Sequence, residues 1–239
     1  MKKNIIITGS TDGIGKLLAL KLAKQGHAVY LHGRSAAKLD AAVSEVKNRS
    51  ENDHIFGFTA DFSDLDAVNT MAVQLTTDLE KIDILINNAG IFKTHSPDTK
   101  GGLDVRFSVN YLAPVLLTDS VMPLLRKSDA PRIINLSSAA QAPVSLDGLT
   151  GKTGLSESEA YAQSKLALTM WSAFLARTEP GICTIAVNPG SLLNTKMVRE
   201  AYGRHWSSAD KGADILVELA LSDAHGGMTG KYFDNDQGS

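Results

Sequence analysis

Tyr161 and Lys165 stand four residues apart in the run Tyr161-Ala162-Gln163-Ser164-Lys165. On a helix this spacing puts both side chains on one face, with Cβ atoms about 5–6 Å apart. A phenol with an ordinary pKa of about 10 is a poor proton donor and acceptor at neutral pH. An ammonium about 5 Å away, at an effective dielectric of about 20, favours the phenolate by roughly 3 kcal/mol and brings the phenol toward the working range of a general acid/base. Solvated helix faces carry the same spacing with no chemistry attached, so the pair takes its meaning from the rest of the chain.

Far upstream, Thr8-Gly9-Ser10-Thr11-Asp12-Gly13-Ile14-Gly15 follows a short apolar run and opens a helical pattern. Glycines here permit a tight turn, let backbone N–H groups approach a pyrophosphate, and allow the helix to pack near the strand with its positive end toward the anion. The spacing is G-x-x-x-G-x-G rather than the more familiar G-x-G-x-x-G. Alone it also describes an ordinary strand-to-helix turn.

These groups need elements to hold them. Short β-branched runs predict strands at Asn4–Thr8, Ala28–His32, Ile55–Ala60, Ile82–Ile86, Arg132–Leu136, Cys183–Val187 and near Lys231–Phe233. Helix-period stretches lie between them, near Gly13–Gln25, Ser35–Asn48, Leu65–Glu80, Gly102–Arg126, Glu157–Thr178 and Ser208–Leu221. In the first, Ile14, Leu17, Leu18 and Leu22 make an apolar stripe, and in the fourth Pro114 predicts a kink or break. Alternation of this kind predicts an α/β fold: βαβ units around one buried parallel sheet of about seven strands flanked by helices. No repeat or linker divides the chain, so residues 1–239 read as one domain.

Composition removes other classes. The formal charge is -2, from 24 basic and 26 acidic residues, which gives no footprint for nucleic acid or an anionic membrane. Cys183 is the single cysteine, so neither an intrachain disulfide nor a cysteine-based metal site can form. The six histidines show no ligand spacing, and no metal is expected. The apolar run after Met1-Lys2-Lys3 is too short for a signal peptide, and a cytoplasmic location is the default expectation.

In order along the chain come the Thr8–Gly15 loop, Asp61-Phe62, Asn87-Asn88-Ala89-Gly90, Asn110, Ser137-Ser138, Tyr161 with Lys165, and Asn188-Pro189-Gly190. From end to end this order resembles the short-chain dehydrogenase/reductase family, and the long stretch between Ser138 and Tyr161 resembles its retinol-dehydrogenase-like and ketoreductase-like branches. The resemblance implies a Rossmann-type doubly wound sheet, with residues 1–239 as a single NAD(P)-binding domain, substrate loops near 139–160 and 191–207, and a bound NAD or NADP. Cofactor contacts are expected from Gly9, Ser10, Thr11, Gly13, Ile14, Gly15, Arg34, Ser35, Asp61, Phe62, Asn88, Ala89, Gly90, Tyr161, Lys165, Pro189, Gly190 and Thr195.

It also implies a catalytic group of Asn110, Ser138, Tyr161 and Lys165. Tyr161 would exchange a proton with the substrate oxygen, Lys165 would hold the nicotinamide ribose and depress the Tyr161 pKa, and Ser138 would hydrogen-bond the substrate oxygen. Asn110 would anchor water in a proton relay; a buried Asn satisfying the helix kink is compatible with that role. Ser137 is the rival to Ser138. Thr195 falls one residue later than the family pattern places its carboxamide contact.

NADP(H) is expected over NAD(H). Gly33 stands where an NAD-preferring relative places an acid for the ribose 2′-hydroxyl, while Arg34 and Ser35 suit a 2′-phosphate. The expected substrate is an apolar ketone or aldehyde, or the matching alcohol. Apolar contacts would come from Ala142, Pro143, Val144, Leu146, Leu149 and Leu155 in one loop and from Leu192, Leu193, Met197, Val198, Tyr202 and Trp206 in the other. Lys152, Lys196, Arg199 and Arg204 would instead suit an acidic substrate. A homo-oligomer packed through the fourth and fifth helices is implied by the resemblance. Two other readings stay open: a dinucleotide-binding sensor or scaffold with little turnover, and an epimerase or dehydratase on the same fold.

Overall fold

A computed structural model describes residues 2–203 and 207–239, with the side chains of Ala201 and Tyr202 left aside. Its seven strands are β1 (Asn4–Ile7), β2 (Ala28–Gly33), β3 (Ile55–Thr59), β4 (Ile84–Asn87), β5 (Arg132–Leu136), β6 (Cys183–Asn188) and β7 (Tyr232–Asp234). All pair in parallel, in the order β3-β2-β1-β4-β5-β6-β7. Parallel strands are buried on both faces, which is why Ile5-Ile6-Ile7 and Ile84-Leu85-Ile86 are unbroken apolar runs. Alternate residues serve opposite layers: Ile5, Ile7, Ile84 and Ile86 join one core, Ile6 and Leu85 the other.

The first layer is covered by α1 (Gly13–Lys24), α2 (Ala36–Ser50) and α9 (Ala209–Leu221). The second carries α3 (Leu65–Asp78), α4 (Val105–Phe107), α5 (Ala113–Leu125) and α7 (Glu157–Thr178). Two short helices, α6 (Leu146–Leu149) and α8 (Lys196–Tyr202), lie in the segments expected to be substrate loops. Strand order reverses between β1 and β4, so a crevice opens at their C-terminal ends, where open α/β sheets bind ligands.

The helical stretch over Gly102–Arg126, expected to kink or break at Pro114, is three pieces. Gly102 is in a left-handed conformation (φ 78°), Asp104 caps α4, and a π-helical turn over Ser108–Leu112 joins α4 to α5. Pro114 sits in the first turn of α5, immediately after the π turn. Lacking an N–H, it cannot complete a hydrogen bond to the preceding turn, and the backbone absorbs this by widening just before it.

Candidate active site

At the crevice, the loop after β1 is shaped by close approaches. Gly9 has φ 63°, and a Cβ there would lie 2.7 Å from Ala89 Cα. A Cβ on Gly15 would lie 2.5 Å from both the Asn88 side-chain amide and the Gly9 carbonyl. Asn88 fastens the loop to the chain after β4, donating through Nδ2 to the carbonyls of Thr8 (2.7 Å) and Gly9 (2.8 Å). In return, Thr8 Oγ1 accepts the N–H groups of Asn88 and Ala89. The result is a cradle only glycine can form, at the N-terminus of a 12-residue helix, which suits a pyrophosphate.

His32 is a part of this frame that spacing did not reveal. It is buried; its Nδ1 accepts the Gly9 N–H (3.0 Å), its Nε2 meets the Ala60 carbonyl (3.0 Å), and its ring stacks on Phe62 with centroids 4.2 Å apart. Because Nδ1 must accept, the ring is neutral with its proton on Nε2, and burial pushes its pKa down to about 4. Ser10 does not face the cleft as expected. Its hydroxyl donates to Ile7 O (2.8 Å) and accepts from His32 N (2.9 Å), and its own N–H goes to His32 O, so the residue is committed beneath the loop.

A cleft of about 970 Å³ runs from Arg34, Ser35 and Lys38 past the glycine cradle to Ser138, Tyr161 and Lys165. Asp61, Phe62, Asn88, Ala89, Gly90, Pro189, Gly190 and Thr195 also line it. Asp61 Oδ1 accepts from the backbone and hydroxyl of Ser63, and Thr195 caps α8. Lys38, in the first turn of α2, is a second cation at the Arg34 end that the sequence did not single out.

At the other end α7 carries Tyr161 and Lys165. Its start is set by a capping box between Ser156 and Glu159, and it runs 22 residues without Gly or Pro. Lys165 Nζ lies 5.7 Å from the Tyr161 ring centroid and donates to Leu136 O at 2.8 Å. Burial alone pushes the lysine pKa down to about 8. Tyr161 meets the ring of Phe92 edge-on at 4.8 Å.

The two serines after β5 separate by environment. Ser137 is buried, donating to Lys165 O (3.0 Å) and sharing a 2.7 Å bond with Thr169 Oγ1. Ser138 is only half buried, and its hydroxyl accepts from Ala140 N at 3.1 Å. Its carbonyl is held by Tyr232 Oη (3.1 Å) and Gln141 Nε2 (2.9 Å). Asn110 lies behind the cleft wall: Oδ1 accepts from Ile91 N (2.8 Å), while Nδ2 donates to Ile91 O (3.0 Å) and Ser164 Oγ (2.9 Å). Its side chain braces the π turn against the chain after β4 and against α7.

Segment 139–160 is more structured than the expected loop. Ser145 caps α6, Ser145 N donates to the Gln163 side chain, and Gly148 packs under Leu155 so closely that a Cβ would sit 2.7 Å from Cδ1. Of its expected apolar contacts, Ala142, Pro143, Val144, Leu146, Leu149 and Leu155 all lie off the cleft lining. The apolar wall comes instead from Ile91, Phe92 and Val109 with Leu192, Leu193, Met197 and Val198. The Tyr202 side chain, Arg204 and Trp206 lie outside the described residues.

The sequence model of the short chain dehydrogenase family matches residues 3–205. The chain belongs to that family. Human retinol dehydrogenase 13 is 32% identical, over 97% of this chain and 76% of its own. Human polyprenol dehydrogenase is 28% identical over the same shares. Among solved structures, a short chain dehydrogenase from Escherichia coli CFT073 in complex with NADPH is 25% identical, with a TM-score of 0.80, covering 98% of this chain and 96% of that one. Salutaridine reductase from Papaver somniferum has the same fold, with a TM-score of 0.80 at 24% identity. As a short-chain dehydrogenase/reductase of the retinol-dehydrogenase-like branch, the chain is an NAD(P)-dependent oxidoreductase acting on CH–OH or C=O groups.

Proposed function

We propose that the protein is an NADP(H)-dependent reductase of apolar ketones or aldehydes, working in either direction, with Tyr161 as the acid/base. The observation that carries this reading is the joining of the glycine cradle to Tyr161, Lys165 and Ser138 along one cleft. When bound there, the dinucleotide supplies or accepts hydride. Gly9, Gly13 and Gly15 would hold its pyrophosphate, and Arg34, Ser35 and Lys38 a 2′-phosphate. Gly33 brings no acid to that end, so nothing at this position repels a phosphate.

Tyr161 gives its proton to the substrate oxygen in reduction and takes it back in oxidation, and the Lys165 ammonium favours the phenolate. The Ser138 hydroxyl, in reach of the cleft, bonds the same oxygen as charge develops on it. A sensor without turnover has no physical need for this trio.

The apolar substrate rests on the Ile91, Phe92, Val109, Leu192, Leu193, Met197 and Val198 wall. The nearby cations have partners: Lys196 pairs with Glu200 (3.6 Å), Arg199 donates to Asn194 (2.6 Å), and Lys152 stands 4.0 Å from Asp147. Matched ketones with and without a carboxylate, assayed with NADPH by nicotinamide absorbance, test both parts. Consumption with the neutral ketone at the higher kcat/KM is expected. No consumption with any carbonyl would favour the sensor. A carboxylate advantage removed by neutralising Lys196 or Arg199 would replace the apolar pocket with a cationic one.

A further inference from the structure

Arg106 is 1% exposed, and a guanidinium is costly to bury unless every face of it is bonded. Its Nε donates to Phe92 O (2.7 Å), Nη1 pairs with the Asp104 carboxylate (3.0 Å), and Nη2 reaches Glu157 Oε1 (2.8 Å). Phe92 belongs to the chain after β4, and Glu157 opens α7. Arg106 thus ties together the two segments whose side chains meet in the Phe92–Tyr161 edge contact.

A second tie runs beside it. Asn110, in the π turn, bonds both backbone groups of Ile91 and the hydroxyl of Ser164. Two neighbouring residues after β4, Ile91 and Phe92, are therefore each fastened to α7, one at Ser164 and the other at Glu157. Positions 157, 161 and 164 fall on one face of the helix. Tyr161 lies between the two fastenings. Further along, α7 is held by Ser137 and Leu136 at Lys165, but its first turn, at Glu157, is tied to the chain after β4 through Arg106.

We propose that Arg106 is a positioning residue for Tyr161, holding the first turn of α7 against the chain after β4 and so the packing of the phenol against Phe92. The inference rests on Tyr161 being the acid/base. A lysine at 106 cannot replace the fork, because one ammonium on a flexible stem cannot reach Phe92 O, Asp104 and Glu157 in a fixed plane. Displacement of a reacting group by about 1 Å costs on the order of a hundredfold in rate.

The test measures kcat, KM for cofactor and ketone, and the pH dependence of kcat in Arg106→Lys, Glu157→Ala and Tyr161→Phe. Glu157 is half exposed at the helix start, so its variant folds even if the buried site tolerates no change. Arg106→Lys should lower kcat about ten- to a hundredfold, Glu157→Ala should lower it less, both should leave cofactor KM within about twofold, and both should move the basic limb of the pH profile. If Arg106→Lys does not fold, Glu157→Ala alone decides. An unchanged kcat and pH limb in the folded variants, with Tyr161→Phe inactive, would show that Arg106 serves stability only. Activity retained by Tyr161→Phe would overturn the acid/base assignment itself, and this inference with it.

Discussion

Gly9 gives its backbone N–H to Nδ1 of His32 across 3.0 Å, so the turn of the cofactor cradle is tied to β2 through a neutral imidazole. Protonation would place a hydrogen on Nδ1 and turn this bond into a repulsion between two donors. The native pKa of about 4 lies below the ordinary value of 6.5, so between these pH values the unfolded chain binds more protons. The contribution of His32 is complete above about pH 6.5 and is lost as pH falls toward 4, a difference of ~3 kcal/mol.

In His32→Leu the Gly9 donor is left unsatisfied, which costs about 1–3 kcal/mol at pH 7. The gap between wild type and variant in urea unfolding should narrow as pH falls from 6.5 to 4.5. A gap independent of pH would mean that the imidazole contributes nothing through its charge state.

Tyr161→Phe should abolish turnover while NADPH titration by fluorescence gives an affinity within about threefold, because ring packing on Phe92 survives. Lys165→Met should be inactive as well, yet more stable. Removing an ammonium that burial pushes down to about 8 relieves a desolvation cost, and a gain of about 1–3 kcal/mol in urea unfolding is expected. A Lys165→Met protein less stable than wild type would show that the bond to Leu136 O outweighs burial.

On the proposed binding mode, in which the 2′-phosphate meets both cations, Arg34→Ala and Lys38→Ala should each weaken NADPH about tenfold and NADH hardly at all. Isothermal titration with the two cofactors decides this. Equal losses for both would place these side chains against the adenine alone.

Gly15→Ala should eliminate cofactor binding before it unfolds the protein. The added methyl lands 2.5 Å from Gly9 O and the Asn88 amide, and so forces open the seam between the cradle and the chain after β4. A variant with wild-type cofactor affinity would show that this seam yields.

The sequence made the sheet legible because the central strands are buried on both faces and rich in apolar residues, in β1 and β4 as unbroken runs such as Ile84-Leu85-Ile86. Tyr161, Lys165 and Ser138 were legible because helix spacing and motif order place them. Arg106 was not. It reads as a surface charge, and only the three-dimensional meeting of Phe92, Asp104 and Glu157 gives it a buried place. His32 escaped for the same reason, since both its partners are backbone groups. The π turn was half legible: Pro114 announced an interruption, but a proline says where a hydrogen bond is missing, not how the chain before it adapts. Segment 139–160 has a composition rich in Gly, Ser and Thr, which concealed how firmly Ser145 and Leu155 fold it onto α7 and itself.

The narrow space beside Gly33 has an evolutionary consequence. A Cβ at this position would sit 2.4 Å from the Thr11 methyl group. Thr11 is β-branched and stiff at its first side-chain torsion. An acidic residue that would recruit NAD must therefore displace Thr11 before it can meet a ribose. Gly33→Asp alone should damage binding of both dinucleotides, whereas after Thr11→Ser the same change should favour NAD(H) over NADP(H), a strong non-additivity between touching sites. An acid at position 33 is therefore reachable in one order of these two mutations and closed in the reverse.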